Sequence, residues 1–182
     1  MEPQKDDLGL FQIEPEAYGP NYRDNLFEQY KMYVEMADKI SERRATANNF
    51  FLTANTLLIS VFGIIVGKDI ALSTESMETC FPLFAISGLA FSIAWFYIVK
   101  SYSQLNSAKF KVIHKIEEKL PLALYKAEWT VLGEGHNPRL YRPLTAIERY
   151  APLTFAILYS FILLVSFWYF HGEIFCIYLP IL

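Results

Sequence analysis

His114 has acidic neighbours at helical spacing, Glu117 and Glu118, three and four residues further on. Imidazole and carboxylate on one helix face can hold a divalent cation. A second histidine is missing and the surrounding KFKVIHKIEEKL is charged throughout, so the cluster reads as a solvated face. Glu134 and His136 occupy a glycine loop where a general acid–base pair would fit, but no nucleophile accompanies them. GEGHNPRLYR has the glycines of a phosphate loop without its lysine. As a turn carrying Arg139 and Arg142 it suits an anion or lipid headgroups. Arg43 and Arg44 fall where a helix enters apolar sequence. Snorkelling to headgroups is the plain reading, and pairing of Arg44 with an acid on another helix is the alternative. Cys80 and Cys176 make neither a zinc site nor a disulfide framework. Both fall on the outer side, where an oxidising compartment permits a bond; two free buried thiols are the simpler reading. These residues point to a protein that is not an enzyme and takes no cofactor or metal.

The informative polar residues are amides and hydroxyls inside an apolar helix. Asn49, Thr53, Thr56 and Ser60 step by 4, 3 and 4, and Gly63 and Gly67 continue the face. In hydrocarbon such a stripe must face protein or water, because unpaired polar groups are costly there. Close helix packing is the first reading and the lining of a pore is the alternative. Asn48 and Asn55 lie seven apart on one face, as interhelical hydrogen-bond partners would, and both count with the packing stripe, Asn48 also with the pore lining of the alternative.

The chain has 182 residues, of which 53% are hydrophobic, 16% aromatic and only 19% charged, too apolar a composition for an ordinary soluble domain. A net charge of −3 argues against nucleic-acid binding. Residues 1–23 read as an irregular arm broken by Pro3, Pro15, Gly19 and Pro20, acidic and without the apolar core of a cleavable leader. A helix over 24–67 is expected, opening with a capping box from Asn25 to Glu28. Continuous, it would run about 65 Å, more than twice what a bilayer core needs. Leu26, Tyr30, Tyr33, Ala37 and Ile40 begin a heptad-like seam along it.

The first membrane span is placed at about 50–66, followed by an outer loop over 68–80. The second helix covers 81–120, with its span at about 81–99 and Pro82 in its first turn. Ala85, Gly88 and Ser92 give that span a small-residue face, and Trp95, Phe96 and Tyr97 an aromatic belt. Leu105, Ala108, Val112, Ile116 and Leu120 form the apolar face of its polar continuation, which ends at Pro121. Residues 121–150 read as a loop and a short interfacial helix opened by a capping box of Thr145 and Glu148, with Ile147 and Tyr150 at the headgroup boundary. A third span follows at 151–170 and an outer apolar tail at 171–182.

Basic residues cluster before the first span, after the second and before the third, whereas Lys68 stands alone opposite. The positive-inside rule therefore puts the N-terminus in the cytoplasm and the C-terminus outside. The expected fold is an all-α membrane protein with three transmembrane helices. Two of its long helices extend into the cytoplasm as an antiparallel hairpin.

The segments YVEMADKISERRATANNFFLTANTLLISVFG, AEWTVLGEG and YRPLTAIERYAP resemble the RipA-type octameric membrane proteins of bacteria, over about residues 24–170. The resemblance implies a small inner-membrane protein that assembles with itself into a homo-octamer among membrane lipids, and it carries no catalytic motif. The layout also looks like the SLATT group of two-span effectors, which implies pore formation; the third span and the PLTAIE segment depart from that pattern. A non-enzymatic structural or stress-response scaffold is therefore expected, with a channel lined by the polar stripe as the alternative.

Overall fold

A computed structural model describes residues 9–67 and 74–178, the side chains at 74, 75, 145 and 170–178 excepted. Six α-helices are present among the described residues: α1 (Pro15–Tyr18), α2 (Tyr22–Gly67), α3 (Thr74–Glu117), α4 (Leu124–Val131), α5 (Leu144–Glu148) and α6 (Tyr150–Tyr178). A 3-10 turn, Gly133–Gly135, follows α4, and no strand occurs among the described residues. Three of the helices are long and apolar enough to cross a membrane. The described chain divides into two units: residues up to Arg43 with Ser103–Arg142, and Arg44–Tyr102 with the residues from Pro143 onward.

α2 runs 46 residues because nothing interrupts it: no proline occurs in it and no glycine before Gly63. It starts at Tyr22, whose amide donates to the Gly19 carbonyl. The expected capping box does not form. Asn25 lies inside the helix and donates to the Tyr18 hydroxyl, and Glu28 pairs with Lys31. The arm expected to be irregular holds α1, closed by Gly19 at φ 96.

α3 begins at Thr74, so Pro82 lies inside it and not in its first turn. Of the outer loop expected over 68–80, residues 74–80 are helical, and Lys68 and the other residues up to 73 lie outside the described residues. α5 opens on Pro143 without a side-chain cap; the Thr145 side chain is outside the described set, and Glu148 turns to Arg44. α6 continues past Phe170 to Tyr178, so the expected apolar tail starts as helix, and residues 179–182 are not described.

In the first unit Ala37 and Ile40 of α2 and Ile113 and Ile116 of α3 are buried, while Leu26, Tyr30 and Tyr33 are half-buried. The buried face of α3 is Lys109, Ile113, Ile116 and Glu117, displaced by about one residue from the expected apolar face. Leu105 is 46% exposed and Ala108 exposed, with Val112 and Leu120 half-buried. The displacement has a physical cause. Lys109 buries its stem and sets its ammonium 4.2 Å from the centre of the Tyr33 ring, and Glu117 buries a fully hydrogen-bonded carboxylate.

The second unit is built on Phe51, Trp95 and Val99, with Phe91, Ile98, Ala151 and Phe155 packed around them. Trp95 is 2% exposed, so it belongs to this core and not to an interfacial belt; Tyr97, at 62%, does face outward. Ala85 and Tyr159 are fully buried. Gly88 faces the Tyr159 ring so closely that a Cβ there would overlap it.

Candidate functional site

Two faces of α2 carry its polar residues in the second unit, and the fold treats them differently. Asn48 accepts a hydrogen bond from the Trp95 indole at 2.9 Å. Asn55, fully buried, donates to the Phe51 carbonyl at 2.8 Å, and its Oδ1 lies 3.4 Å from the hydroxyl oxygen of Ser92, whose one proton goes to the Gly88 carbonyl at 2.9 Å. Aromatic rings fill the space beside these bonds: Phe51 stacks on Trp95 at 5.9 Å, and Phe62 on Phe84 at 4.8 Å. Asn48, Asn55, Gly88 and Ser92 are therefore occupied inside the chain.

Asn49, Thr53, Thr56, Ser60 and Gly63 are all exposed. Their face is turned roughly 120° from the Asn48–Phe51–Asn55 face, at about 100° per residue. Thr56 donates to the Leu52 carbonyl and Ser60 to the Thr56 carbonyl, each at 2.8 Å, so these hydroxyls are satisfied by their own helix. Gly63 and Gly67 meet nothing within 4 Å of an added Cβ.

Arg44 approaches Glu148 of α5, Nε to Oε2 at 3.5 Å, with both side chains largely buried. That separation is long for an N–H···O bond, and neither atom has a hydrogen-bond partner among the described residues. The pair is a charge contact between α2 and α5, the helix-to-helix partnership expected as the alternative to snorkelling. Arg43 is exposed. The Tyr159 hydroxyl is buried and likewise lacks a hydrogen-bond partner among the described residues.

In the first unit Glu117, 1% exposed, is the centre of the polar packing; it is not part of a solvated face. Its Oε1 accepts from the Tyr30 hydroxyl at 3.0 Å and from the Tyr125 amide at 2.9 Å, and its Oε2 accepts from the Lys126 amide at 3.1 Å. Those amides are first-turn donors of α4, which no carbonyl of its own turn can satisfy. One carboxylate from the end of α3 thus caps α4 and holds Tyr30 of α2. Burial, followed by the bond to Glu117 and its charge, pushes the Tyr30 phenol up to about 12. Burial and the charges of Asp38, Glu128 and Glu117 also raise Tyr125. The sequence signal was faint: an acid shortly before the Pro121 break and within a turn's reach of the next helix.

His114 is half-buried, Glu118 pairs with Lys115, and no metal-holding group of three or more His, Cys, Asp or Glu occurs among the described residues. Glu134 and His136 are exposed, with Glu134 at φ 53 between Gly133 at 71 and Gly135 at 75. Arg139 and Arg142 are exposed too, and the Arg139 amide donates to the Asn137 side chain at 3.0 Å. Cys80 is exposed and free; the Cys176 side chain lies outside the described residues. The buried polar groups hold helices together, and the polar stripe of α2 points out of the chain. A family model described as the octameric membrane protein family (8xMP) matches residues 27–168. No curated protein and no solved structure matches the chain.

Proposed function

The chain belongs to the octameric membrane protein family, and from that membership we propose a non-enzymatic, homo-octameric scaffold of the bacterial inner membrane. Its RipA-type character rests on the segments quoted above. The observation that carries the reading is the outward stripe. A membrane helix that satisfies Asn48 and Asn55 internally, yet presents Asn49, Thr53, Thr56, Ser60 and Gly63 outward, has a face suited to a second copy and poorly suited to lipid. Hydroxyls already bonded to their own helix need no water, which favours close packing over a wetted pore. We read α2 and α3 as an antiparallel hairpin, supported in the second unit by pairs that run in opposite order: Asn48 with Trp95, Asn55 with Ser92, Phe62 with Phe84 and Phe81. The distribution of lysine and arginine supports a cytoplasmic N-terminus and an outer C-terminus.

The test places bulk on the stripe. Ser60→Leu with Gly63→Leu should release monomers, read by light scattering in detergent, while Trp95 emission stays that of a buried indole. An octamer that survives both substitutions would remove the stripe from the interface. Gly88 is unsuitable for this purpose, because its face is filled by Tyr159 of the same chain. Cysteines at Thr53 and Thr56 that react freely with an aqueous thiol reagent in the assembled protein would replace the scaffold by a channel.

A further inference from the structure

One level of the second unit is marked on three helices at once. Asn48 bonds Trp95, Arg44 meets Glu148, and Ala151 packs against the core of Phe51, Trp95 and Val99. These contacts bring the ends of three charge-free stretches side by side: 45–67 on α2, 79–99 on α3 and 150–170 on α6. Each is roughly twenty residues long, about 30 Å at 1.5 Å per residue, which is the thickness of a bilayer's hydrocarbon core. The shared level, bounded by Arg44, Lys100 and Arg149, is therefore where hydrocarbon gives way to headgroups.

One face of α3 has the profile of a lipid molecule at that depth. Leu83, Ile86, Ala90, Ile93, Tyr97 and Lys100 step by 3, 4, 3, 4 and 3 and are all exposed, so they form one outward stripe. It is aliphatic through the core, reaches a phenol that is 62% exposed at Tyr97, and ends on an ammonium one turn further towards water. The α2 stripe is its opposite, polar at the depths where this one is apolar. A tyrosine at the boundary sets its ring among acyl chains and its hydroxyl among headgroups. Charge here is one-sided. Glu148 is turned inward onto Arg44, and the other nearby acid, Glu42, stands against exposed Arg43, Lys100 and Arg149. Neither Arg43 nor Lys100 has an acidic partner among the described residues.

We propose that Tyr97 and Lys100 bind the headgroup of an anionic phospholipid whose acyl chains lie along the Leu83–Ile93 stripe of α3. The ammonium pairs with the phosphate, the phenol donates to the same headgroup, and Arg43 on α2 adds to the attraction. The site is separate from the octameric reading, which concerns the stripe of α2.

The experiment reconstitutes the full chain in phosphatidylcholine vesicles at low ionic strength, with a trace of spin-labelled phosphatidylglycerol or spin-labelled phosphatidylcholine. The motionally restricted fraction of each label gives the preference between them. Wild type should hold phosphatidylglycerol more, and Lys100→Gln should lower that preference by up to about fivefold, the effect of one basic residue near a membrane surface. Lys100→Arg should keep it. Lys111→Gln, which removes the same charge about 16 Å further along α3, should leave it at the wild-type value. Equal restriction of the two lipids by wild type would overturn the proposal, as it would if a second copy covered this face. An equal loss in Lys111→Gln would overturn it too, since that reports net charge alone. Displacement of the phosphatidylglycerol label by inorganic phosphate, against chloride of matched ionic strength, would assign the cations to free phosphate and remove the lipid.

Discussion

Replacing Glu117 by alanine takes one carboxylate from three donors at once. The Tyr30 hydroxyl loses its acceptor in a half-buried site, and the Tyr125 and Lys126 amides return to being orphans at the start of α4. Loss of a helix cap costs about 1 kcal/mol, and stranding a buried hydroxyl costs about 1–3 kcal/mol. The sum, about 2–4 kcal/mol, falls on the first unit and leaves the membrane core of Phe51, Trp95 and Val99 untouched. Glu117→Gln keeps one acceptor oxygen and should lose roughly half as much, while Tyr30→Phe should lose about 1 kcal/mol. Because Tyr30 and Glu117 share a bond, the two losses should not add: alanine at 117 should cost less in the Tyr30→Phe background. Amide exchange resolved at Tyr125 and Lys126 is the assay, with thermal unfolding in detergent beside it. Unchanged protection of both amides in Glu117→Ala would show that α4 is held by something other than this carboxylate.

Three further outcomes are expected. Gly88→Ala pushes a methyl into the Tyr159 ring and should lower thermal stability by about 1–3 kcal/mol, with Tyr159→Ala in the same chain recovering part of the loss; an unperturbed melting curve for Gly88→Ala would contradict the close contact. Glu148→Gln leaves the Arg44 charge largely buried without its partner and should destabilise α5, by up to about 3 kcal/mol, whereas the swap Arg44→Glu with Glu148→Arg should restore most of it; equal melting of Glu148→Gln and wild type would count against the pair. In alkali the Tyr30 contribution should persist through pH 10, the unfolded tyrosine value, and be lost as pH rises towards about 12, its folded value. Absorbance titration of wild type against Tyr30→Phe would detect it, and a difference centred near pH 10 would refute the buried bond.

Where apolar periodicity and helix breakers act alone, the sequence was legible. The absence of Pro and Gly through most of α2, the Pro121 break after α3 and the three apolar stretches all have direct counterparts in the helices described. Caps were less legible, because side chains at the proposed caps found better partners: Asn25 took Tyr18, and Glu148 took Arg44. Buried charge was misread for a related reason. Lys109 and Glu117 look solvated by type, and only tertiary structure supplies the Tyr33 ring and the α4 amides that let them go inside. That substitution turned the inner face of α3 by about one residue and left Leu105 outside. The division of labour on α2 was half visible. Spacing placed Asn48 and Asn55 on one face, but the sequence counted them with the Asn49–Ser60 stripe, and only the positions of Trp95 and Ser92 show that they meet their own chain.

The Asn48–Trp95 and Asn55–Ser92 contacts also bear on how a nascent chain finds one arrangement among many. Two greasy helices in lipid gain nearly the same dispersion energy at several offsets, so apolar packing discriminates poorly between them. The polar contacts discriminate better. A slip of one residue turns a helix by about 100°, carrying Asn48 away from Trp95 and leaving the buried indole N–H without its acceptor, while Asn55 keeps the bond to its own helix and loses only its place beside Ser92. A stranded group of this kind costs on the order of a kilocalorie or more, so misaligned hairpins are disfavoured even though the correct bond is individually weak. The polar contacts thus favour one alignment of α2 against α3 where apolar packing alone would allow several.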